Sequence, residues 1–266
     1  MKNVLITGGP TNEAIDKVMT ITNMSTGSLS CTLAEKALEN GSDVTLILHE
    51  SVKRSKRFYD CGLADNPKVR TVWIDSCQDM YDALEAESRS GIKYDTVIHA
   101  SAVGDYRPEF TFKMEDMADE IAEKLQKANA GACGYDKADL SKFILDIMTD
   151  PDCKLKDDSK ISSYEPHLTT KLTLTTKLIS NLKRWFPGAL LIGCKLLENV
   201  TKEHLFEVAV KLAQKNDMDF IMANDLAELN KGGSTRYLCT KEGFTGIMLN
   251  APGHPALLDY AKENWL

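Results

Sequence analysis

The stretch VLITGGP, residues 4–10, decides the fold class of this chain. A short β-branched run that ends in two glycines is typical of a buried strand followed by a tight turn. Apolar residues at helical spacing follow in 29–38, before the stop signal Asn40-Gly41, and a second apolar run occupies 44–48. This βαβ order predicts a parallel sheet with helices on its faces.

The rest of the chain continues the alternation. Further strands are predicted at 69–74, 96–100, 168–174, 189–192, 220–223, 236–239 and 246–249, and further helices at 78–87, after Thr201 and from about Pro255. The stretch 113–159 is richer in charge, and its weak helical periodicity favours an insertion or mobile flap. The predicted fold is α/β: one Rossmann-like domain over 1–266, with a mostly parallel sheet, helices on both faces and an inserted flap at about 113–175.

The composition of the 266 residues is that of an ordinary soluble globular protein, with 43% hydrophobic and 27% charged residues. The net charge of -7 argues against a nonspecific nucleic-acid binder, whose surface is usually basic. No apolar run reaches the roughly 18 to 20 residues that span a bilayer, and the first residues lack a signal-peptide pattern. We therefore expect a cytoplasmic protein with no nucleic-acid or membrane partner.

Three common chemistries are not favoured by the motifs. The seven cysteines and five histidines are scattered, so neither a disulfide framework nor a zinc site is predicted. Gly8-Gly9-Pro10 does not complete GxGxxG, and the next helix begins well beyond it, which speaks against NAD binding. An NADP-dependent short-chain reductase would need Y-x-x-x-K, but Phe110 stands at that spacing after Tyr106.

Ser25, Thr26 and Gly27 lie just before the first predicted helix. Hydroxyls and backbone N–H groups at a helix N-terminus can hold an anion. The same residues can equally form a plain helix cap, and taken alone they leave both interpretations open.

Two segments near the start carry a more specific signal: GGPTNEAID at 8–16 and ITNMSTG at 21–27. Together they resemble the opening of the phosphopantothenate cysteine ligase (phosphopantothenoylcysteine synthetase) family. Four more segments follow in that family's order: HASAVGDY at 99–106, KISS at 160–163, GCKLL at 193–197 and ANDL at 223–226. The resemblance covers most of residues 1 to 240, and it looks most like the stand-alone bacterial form rather than the version fused to a flavin-dependent decarboxylase.

The resemblance implies a two-step ligase reaction in coenzyme A biosynthesis. A nucleoside triphosphate activates the carboxylate of 4′-phosphopantothenate as an acyl nucleotidylate, and the amine of L-cysteine then displaces the nucleotide. The products are 4′-phosphopantothenoyl-L-cysteine, a nucleoside monophosphate and pyrophosphate. The resemblance further implies Mg2+, CTP rather than ATP as the favoured co-substrate, and a homodimer.

The resemblance also assigns site residues position by position. Asn23 matches the asparagine that holds the acyl intermediate, and Lys160 matches a flap lysine that closes on the reacting carboxylate and phosphates. The nucleotide-binding positions are Gly8, Gly9, Ser25, Thr26, Gly27, Asp105, Thr176, Lys177, Cys194, Lys211, Lys215 and Asn224. The substrate-binding positions are Asn23, Ser101, Ala102, Asp105 and Lys160, of which the segment with Asp105 reaches the ligand partly across a dimer interface in the family.

Four positions depart from the family pattern. Where the family usually has arginine, glycine, proline and an aromatic residue, this chain has Met19, Ser30, Thr176 and Cys194. A methionine cannot pair with an anion, so either Lys17 or Arg107 takes over that contact or the activity is weakened or altered. The alternative hypothesis is therefore a non-catalytic or altered-substrate relative that binds a nucleotide or a pantothenate derivative.

Overall fold

The computed structural model describes residues 2–129, 136–155, 160–162, 164–232, 235–249 and 257. Its strands are β1 (Asn3–Gly8), β2 (Asn12–Ala14), β3 (Thr20–Thr22), β4 (Asp43–His49), β5 (Val69–Ile74), β6 (Thr96–His99), β7 (Tyr106–Lys113), β8 (Leu168–Leu174), β9 (Leu190–Leu197), β10 (Phe220–Asp225), β11 (Arg236–Cys239) and β12 (Phe244–Leu249). Its helices are α1 (Ser28–Glu39), α2 (Glu50–Lys53), α3 (Lys56–Asp60), α4 (Cys77–Ser88), α5 (Met114–Asn129), α6 (Lys137–Thr149), α7 (Leu182–Trp185), α8 (Lys202–Asn216) and α9 (Leu226–Asn230), with a 3-10 turn at Leu178–Asn181.

Eight strands form one sheet in the order β12-β11-β10-β9-β6-β1-β4-β5. Every neighbouring pair from β10 to β5 is parallel, whereas β11 pairs antiparallel with β10 and with β12. Two smaller sheets pair β2 with β3 and β7 with β8. The predicted α/β class with a mostly parallel sheet is confirmed.

Helices cover both faces of the large sheet, as predicted. Ile6 of β1 belongs to one buried cluster together with Leu33 of α1. Leu5, the preceding residue in β1, belongs to the other cluster together with Leu84 of α4 and Leu205 of α8. Successive side chains of a strand point to opposite faces, so a strand covered on both sides is apolar at every position. This is why the run in residues 4–7 indicated a buried strand.

Local capping fixes where the predicted helices begin. The Ser76 hydroxyl accepts a hydrogen bond from Asp79 N, and the Asp79 carboxylate accepts one from Ser76 N, so Ser76 is the cap of α4. Thr201 caps α8 as predicted. The face that α8 buries includes Leu205, Ala209 and Ala213. The predicted helix from about Pro255 lies outside the described residues, apart from 257.

The chain divides into two compact units. The first contains Met1–Asn12, Thr22–Gly104 and Thr176–Leu266, and the second contains Glu13–Ile21 and Asp105–Thr175. The predicted flap at about 113–175 belongs to the second unit, which begins earlier in the chain and also takes in Glu13–Ile21. The prediction of a single domain over the whole chain stays a prediction.

The second unit is more regular than the sequence indicated. Its strands β7 and β8 pair antiparallel, and its helices α5 and α6 contribute to a small core with Phe110, Phe112, Met117 and Ile147. Met117 is buried near the start of α5, and Ile121, one turn further on, packs against the same core. Strand β7 was missed because Pro108 interrupts it and residues 105–107 are exposed.

No helix in the part of the chain that the structure describes is both long enough and apolar enough to cross a membrane.

Candidate active site

The parallel strands of the first unit end together along one side of the sheet, which we call the carboxyl edge. It is defined by the last residues of five strands, Gly8, His49, His99, Leu197 and Asp225. In open parallel sheets, ligands bind in the crevice outside the carboxyl ends of the strands. Six of the predicted site residues of the first unit lie at or within three residues of these ends: Gly8, Gly9, Ser101, Ala102, Cys194 and Asn224.

The turn after β1 and the start of α1 approach each other so closely that side chains are excluded. A Cβ at Gly8 would lie 2.1 Å from the Ser30 hydroxyl oxygen, and one at Gly27 would lie 2.5 Å from Val52 Cγ2. Gly9 and Gly27 also adopt the left-handed backbone, with φ of +83° and +71°. Ser30, one of the departures from the family pattern, occupies the space above Gly8 and donates to the Thr7 carbonyl at 2.9 Å.

The beginning of α1 has the character of an anion-binding site. Its N-cap is Gly27, which brings no side chain, and its first turn carries no acidic residue. Thr26 Oγ1 and Ser28 Oγ lie 2.8 Å apart, so hydroxyls gather where the first helical N–H groups emerge. The structure thus brings Ser25, Thr26 and Gly27 beside the glycine turn, and the helix dipole there favours an anion.

Asn23 is tied to the segment that follows β6. Its Nδ2 donates to the carbonyls of Ala102 and Val103 at 3.0 and 3.1 Å. Ala102 N in turn donates to the Gly9 carbonyl at 2.9 Å, so three predicted positions meet. In this arrangement the remaining polar atom of the Asn23 side chain is Oδ1, and donation to a substrate carbonyl requires release of one of the two N–H bonds.

A buried polar chain links the ends of β1 and β6. Thr7 Oγ1 accepts from Ser101 N at 3.3 Å and lies 2.9 Å from His99 Nδ1. Burial lowers the pKa of His99 to about 4, so the imidazole is neutral near pH 7 and Nδ1 can accept the threonine proton. The Ser101 hydroxyl is buried and has no hydrogen-bond partner among the described residues.

Sequence reasoning named Ser101 but missed Thr7 and His99. Thr7 directly precedes the segment at 8–16 and His99 is the first residue of the segment at 99–106, so their place in or beside the motifs was the available signal. An unpaired buried hydroxyl costs about 1–3 kcal/mol, so a water or a ligand that hydrogen-bonds to Ser101 would stabilise this arrangement.

Cys194 and Asn224 lie on neighbouring strands. The register pairs Cys194 of β9 with Met222 of β10, two residues before Asn224, so both predicted side chains point to the sheet face that α1 covers. Burial raises the pKa of the Cys194 thiol to about 12. The thiol therefore stays protonated near neutral pH and can contact a ligand without acting as a nucleophile.

Asp225, the residue after Asn224, organises the loops beyond β9 and β10 and was not predicted. Its carboxylate accepts from the backbone N–H of Asn199, Val200 and Ala227 at 2.8–3.1 Å. These bonds, led by that of Asn199, hold the pKa of Asp225 below its usual range. Asp225 fixes the backbone around the carboxyl ends of both strands.

Four other predicted nucleotide positions are not brought to this cluster. Thr176 and Lys177 are exposed ahead of the 3-10 turn, where the Thr176 carbonyl accepts from the Cys77 thiol of α4. Lys211 forms an exposed ion pair with Glu207 at 2.5 Å. Lys215 lies in the last turn of α8, which runs antiparallel to β9 and β10 and therefore ends away from the carboxyl edge. Their assignment stays a prediction.

The remaining predicted residues, Asp105 and Lys160, belong to the second unit. Next to Lys160, Ile161 N donates to Asp16 Oδ2 at 3.0 Å, while Asp16 Oδ1 accepts from the N–H groups of Val18 and Met19. The bonds from Ile161, Met19 and Val18, with the charge of Lys160, hold the pKa of Asp16 below its usual range. Asp16, which sequence reasoning missed, thus anchors the segment that carries the predicted flap lysine.

A cavity of about 590 Å³ lies on the opposite side of the sheet, which we call the amino edge. It is lined by residues at the starts of β1, β4 and β5, including Asn3, Asp43 and Arg70. None of the predicted site residues lines it. Ligand binding at the carboxyl ends of parallel strands places the candidate site elsewhere.

Comparison with known proteins supports the family resemblance. Residues 1–131 match the family described as "DNA/pantothenate metabolism flavoprotein C-terminal domain". The coenzyme A biosynthesis bifunctional protein CoaBC of Thermococcus kodakarensis is 30% identical over 225 residues, which cover 85% of this chain and 41% of that protein. The protein of the same name from Vibrio vulnificus is 37% identical over 130 residues, 47% of this chain and 29% of its own. The chain spans less than half the length of these curated relatives.

Solved structures share the fold. A DNA/pantothenate metabolism flavoprotein from Streptococcus pneumoniae has a TM-score of 0.75 and 27% identity, with 100% of both chains covered. The C-terminal domain of a CoaBC protein has a TM-score of 0.56 and 21% identity, over 98% of this chain and 95% of its own. A Cab2 mutant in complex with phosphopantothenate-cysteine has a TM-score of 0.59 and 13% identity, over 94% of this chain and 80% of its own.

Proposed function

We propose that the protein is a phosphopantothenate–cysteine ligase of coenzyme A biosynthesis, on the premise that residues 1–131 match the DNA/pantothenate metabolism flavoprotein C-terminal domain family. It joins 4′-phosphopantothenate to L-cysteine through an acyl nucleotidylate. The observation that carries the proposal is the cluster at the carboxyl edge, where the Gly8-Gly9 turn, the start of α1 and the Asn23–Ala102 bond meet.

The nucleotide phosphates bind at the start of α1. Backbone N–H groups after Gly27 and the hydroxyls of Thr26 and Ser28 donate to phosphate oxygens, and the helix dipole adds a favourable field. Gly8 and Gly9 let the phosphates approach the backbone because no side chain stands in the way. This contact directs the α-phosphate towards the acid.

The acyl group lies against Asn23 and the segment after β6. One N–H of the Asn23 amide, released from the carbonyl of Ala102 or Val103, stabilises charge that develops on the carboxylate oxygen as the nucleotidylate forms and breaks. Ser101 supplies a hydroxyl whose hydrogen-bonding capacity the fold leaves unused in the described residues. The cysteine amine then attacks the acyl carbon, and the nucleoside monophosphate departs.

No protein nucleophile is needed for this reaction. The Cys194 thiol, with its pKa raised to about 12 by burial, remains protonated and serves as a contact. Catalysis rests on holding two reactants in line and on donors aimed at the growing negative charge. The fixed backbone around Asp225 and the glycine turn suits that purpose.

Mg2+ enters with the triphosphate in this proposal. No group of three or more His, Cys, Asp or Glu residues in the described ranges is arranged to hold a metal ion. Mg2+ prefers to keep several waters and to bind substrate phosphates through one or two protein oxygens. When bound, it neutralises charge on the phosphate oxygens.

CTP is the favoured co-substrate, with CMP as the nucleotide product, and ATP is the alternative. The resemblance to bacterial members supports CTP. Cys194 stands where those members have an aromatic residue, so the contact to the base differs in this chain. A direct comparison of the two nucleotides decides the matter.

Lys160 acts on the reacting groups in this proposal, as the family resemblance implies. Its charge neutralises the phosphates or the reacting carboxylate, and the Asp16 carboxylate holds its neighbour Ile161 in place. The family resemblance also supports a cytoplasmic homodimer in which the Asp105 segment contributes to the partner's ligand. Sedimentation velocity with and without nucleotide tests the dimer.

The alternative is a relative that binds nucleotide or a pantothenate derivative without ligating. Met19 favours it, because a methionine replaces the arginine that the family uses to contact an anion. In the structure the Met19 backbone N–H bonds to Asp16, while its side chain is 39% exposed. Such a relative would bind CTP or phosphopantothenate and release no pyrophosphate.

Pyrophosphate release tests the proposal. The purified chain is given phosphopantothenate, cysteine and Mg2+ with CTP or ATP, and each substrate is omitted in turn. Release that requires both phosphopantothenate and a nucleotide supports the ligase, and the faster nucleotide is the co-substrate. Binding of both ligands without release supports the alternative.

A further inference from the structure

Arg236, the first residue of β11, carries a charge into the interior of the first unit. Its Nε and Nη1 atoms are buried and have no hydrogen-bond partner among the described residues. Burial lowers the pKa of Arg236, and the thiol of Cys194 is the neighbouring titratable group that acts on it. A guanidinium nevertheless stays charged at neutral pH. The Arg236 guanidinium is therefore a largely buried cation with no carboxylate partner among the described residues.

Arg70 shows how this chain treats a structural arginine. The Arg70 guanidinium binds the buried Glu87 carboxylate and lies 3.2 Å from Tyr94 Oη and 3.3 Å from Thr45 Oγ1. Buried charges are normally paired in this way, because an unpaired charge pays the full penalty of desolvation. Arg236 breaks the pattern, which indicates that its partner is a ligand.

The sheet register shows where Arg236 points. Strands β10 and β11 pair Met222 with Leu238 and Ala223 with Tyr237, so the next pair in the ladder is Asn224 with Arg236. Directly opposed residues of an antiparallel pair share one face and lie about 5 Å apart. Arg236 and Asn224 are thus neighbours at the carboxyl edge.

This face is the one on which α1 begins. Met222 and Leu238 are paired two residues further along the same strands, so their side chains share a face with Asn224 and Arg236. They belong to the same buried cluster as Leu33 of α1 and Ile6 of β1. Strand β11 lies four strands from β1 in the sheet, which corresponds to about 19 Å. The glycine turn and Arg236 therefore lie at two separate places along the same edge of the sheet.

We propose that Arg236, with Asn224 beside it, forms a phosphate-binding subsite at the carboxyl edge. The guanidinium presents a fork of donors that matches a phosphate group, and the amide of Asn224 adds a neutral donor. Arg236 as a whole residue is partly exposed, and its buried Nε and Nη1 are the donors that remain for a ligand. The nucleotide phosphates are placed at the start of α1 in the proposed function, so the phosphate at Arg236 is that of the phosphorylated acid. This identification rests on the proposed function, and a loss of CTP affinity would reverse the two placements.

The test measures binding to the wild-type chain and to Arg236→Met by calorimetry. The probes are CTP and 4′-phosphopantothenate, each paired with its unphosphorylated counterpart, cytidine and pantothenate. We expect Arg236→Met to weaken one phosphorylated probe at least tenfold and to leave its unphosphorylated counterpart unchanged. Loss of CTP affinity assigns the nucleotide phosphate, whereas loss of phosphopantothenate affinity assigns the acid. Arg236→Lys should retain part of the affinity.

Thermal unfolding separates a binding role from a structural one. Because Arg236 has no described partner inside the fold, Arg236→Met should unfold at the wild-type temperature or above it. The matched control is Arg89→Met, which removes the same charge from an exposed pair with Glu85 and should change neither affinity nor stability.

Two results overturn the inference: wild-type affinity of Arg236→Met for both phosphorylated probes, or no binding of either probe by the wild-type chain. Pyrophosphate release by the wild-type chain is followed in the same preparations. Arg236-dependent phosphate binding without release contradicts the ligase and leaves the subsite standing. If the chain releases pyrophosphate but its affinities for both phosphorylated probes do not depend on Arg236, only the proposed subsite is contradicted.

Discussion

At the amino edge of the sheet, buried polar groups find partners inside the fold. Asp95 accepts from the backbone N–H groups of Lys2 and Asn3 at 2.6 and 3.0 Å. Glu87 is bound by Arg70 and by the Tyr94 hydroxyl. Burial acts to raise the pKa of Glu87, but these two hydrogen bonds outweigh it and hold the pKa below its usual value.

At the carboxyl edge, buried polar atoms of Ser101 and Arg236 have no partner among the described residues. Folded proteins pair nearly all of their buried polar groups, so exceptions call for an explanation. The glycine turn and the start of α1 lie at the same edge. The polar groups at the amino edge are thus paired by groups of the fold itself. At the carboxyl edge, Ser101 and Arg236 leave hydrogen-bonding atoms available, as the proposed ligand site requires.

Among substitutions at the carboxyl edge, Asn23→Ala should have the largest effect on activity. The amide that bridges to Ala102 and Val103 is lost, and with it the donor proposed for the acyl group. We expect the rate of pyrophosphate release to fall by about 10²–10³-fold, as for removal of one oxyanion donor. Stability should change by less than about 1 kcal/mol, because Asn23 is exposed. Activity within threefold of the wild type would remove Asn23 from the mechanism.

Gly27→Ala should disturb the same edge by displacing the backbone at the start of α1. The new Cβ would meet Val52 at 2.5 Å in a left-handed conformation, so the start of α1 must shift. A displacement of about 1 Å at a site costs about 10²-fold in rate. Gly41→Ala is the matched control, because Gly41 has φ +84° and no neighbour within 4 Å of its added Cβ. It should lose about 1 kcal/mol in urea unfolding through backbone strain alone and keep its activity.

Asp16→Asn extends the comparison to the second unit. An amide nitrogen cannot accept, so one of the bonds to Ile161, Val18 and Met19 is lost and the Lys160 segment loosens. We expect kcat to fall about tenfold, roughly 1.4 kcal/mol, with CTP affinity unchanged.

The control for Asp16→Asn is Asp136→Asn. Asp136 caps α6 by accepting from Ala138 N and Asp139 N. Asparagine caps a helix as well as aspartate, so this variant should behave like the wild type. Equal activity of both variants would show that Asp16 does not position Lys160.

Arg70→Met tests the closed amino edge and should affect stability alone. Removing Arg70 leaves Glu87 buried without its cation, and because Arg70 is half exposed we expect a loss of about 1–2 kcal/mol. The folded-state pKa of Glu87 is depressed, so this stabilisation is present above the usual pKa of glutamate and is lost as the pH falls through the folded value. The free energies of unfolding of the wild type and of Arg70→Met, measured in urea from pH 7 to pH 3, should converge as the pH falls. The affinity of Arg70→Met for CTP should equal that of the wild type.

The sequence predicted those parts of the fold whose signals are local. Leu5 and Ile6 lie in an uninterrupted apolar run, which predicts a buried strand. Ser76 caps the start of α4 by hydrogen bonds with Asp79, only three residues away. Strand β7 escaped prediction because Pro108 interrupts it and its partner strand begins at Leu168, far along the chain. Pairing across such a separation leaves no pattern within either segment.

The candidate site divides in the same way. The positions near Gly8 and Gly27 follow from motifs, and the structure brings them together. The hydrogen bond between Thr7 and His99 joins residues that are 92 positions apart in the chain, and no spacing in the sequence predicts it. Arg236 looks like any arginine at the start of a strand, since the lack of a partner is a property of the folded chain.

Hydrogen exchange with and without CTP and Mg2+ tests the central claim, that ligands bind at the carboxyl edge, most directly. We predict that the nucleotide slows exchange of amides at 8–9, 25–31, 101–104 and 236–238. Exchange at the amino edge, at 43–45, 68–70 and 91–93, should stay unchanged although a cavity lies there. Protection confined to the amino edge would contradict the account.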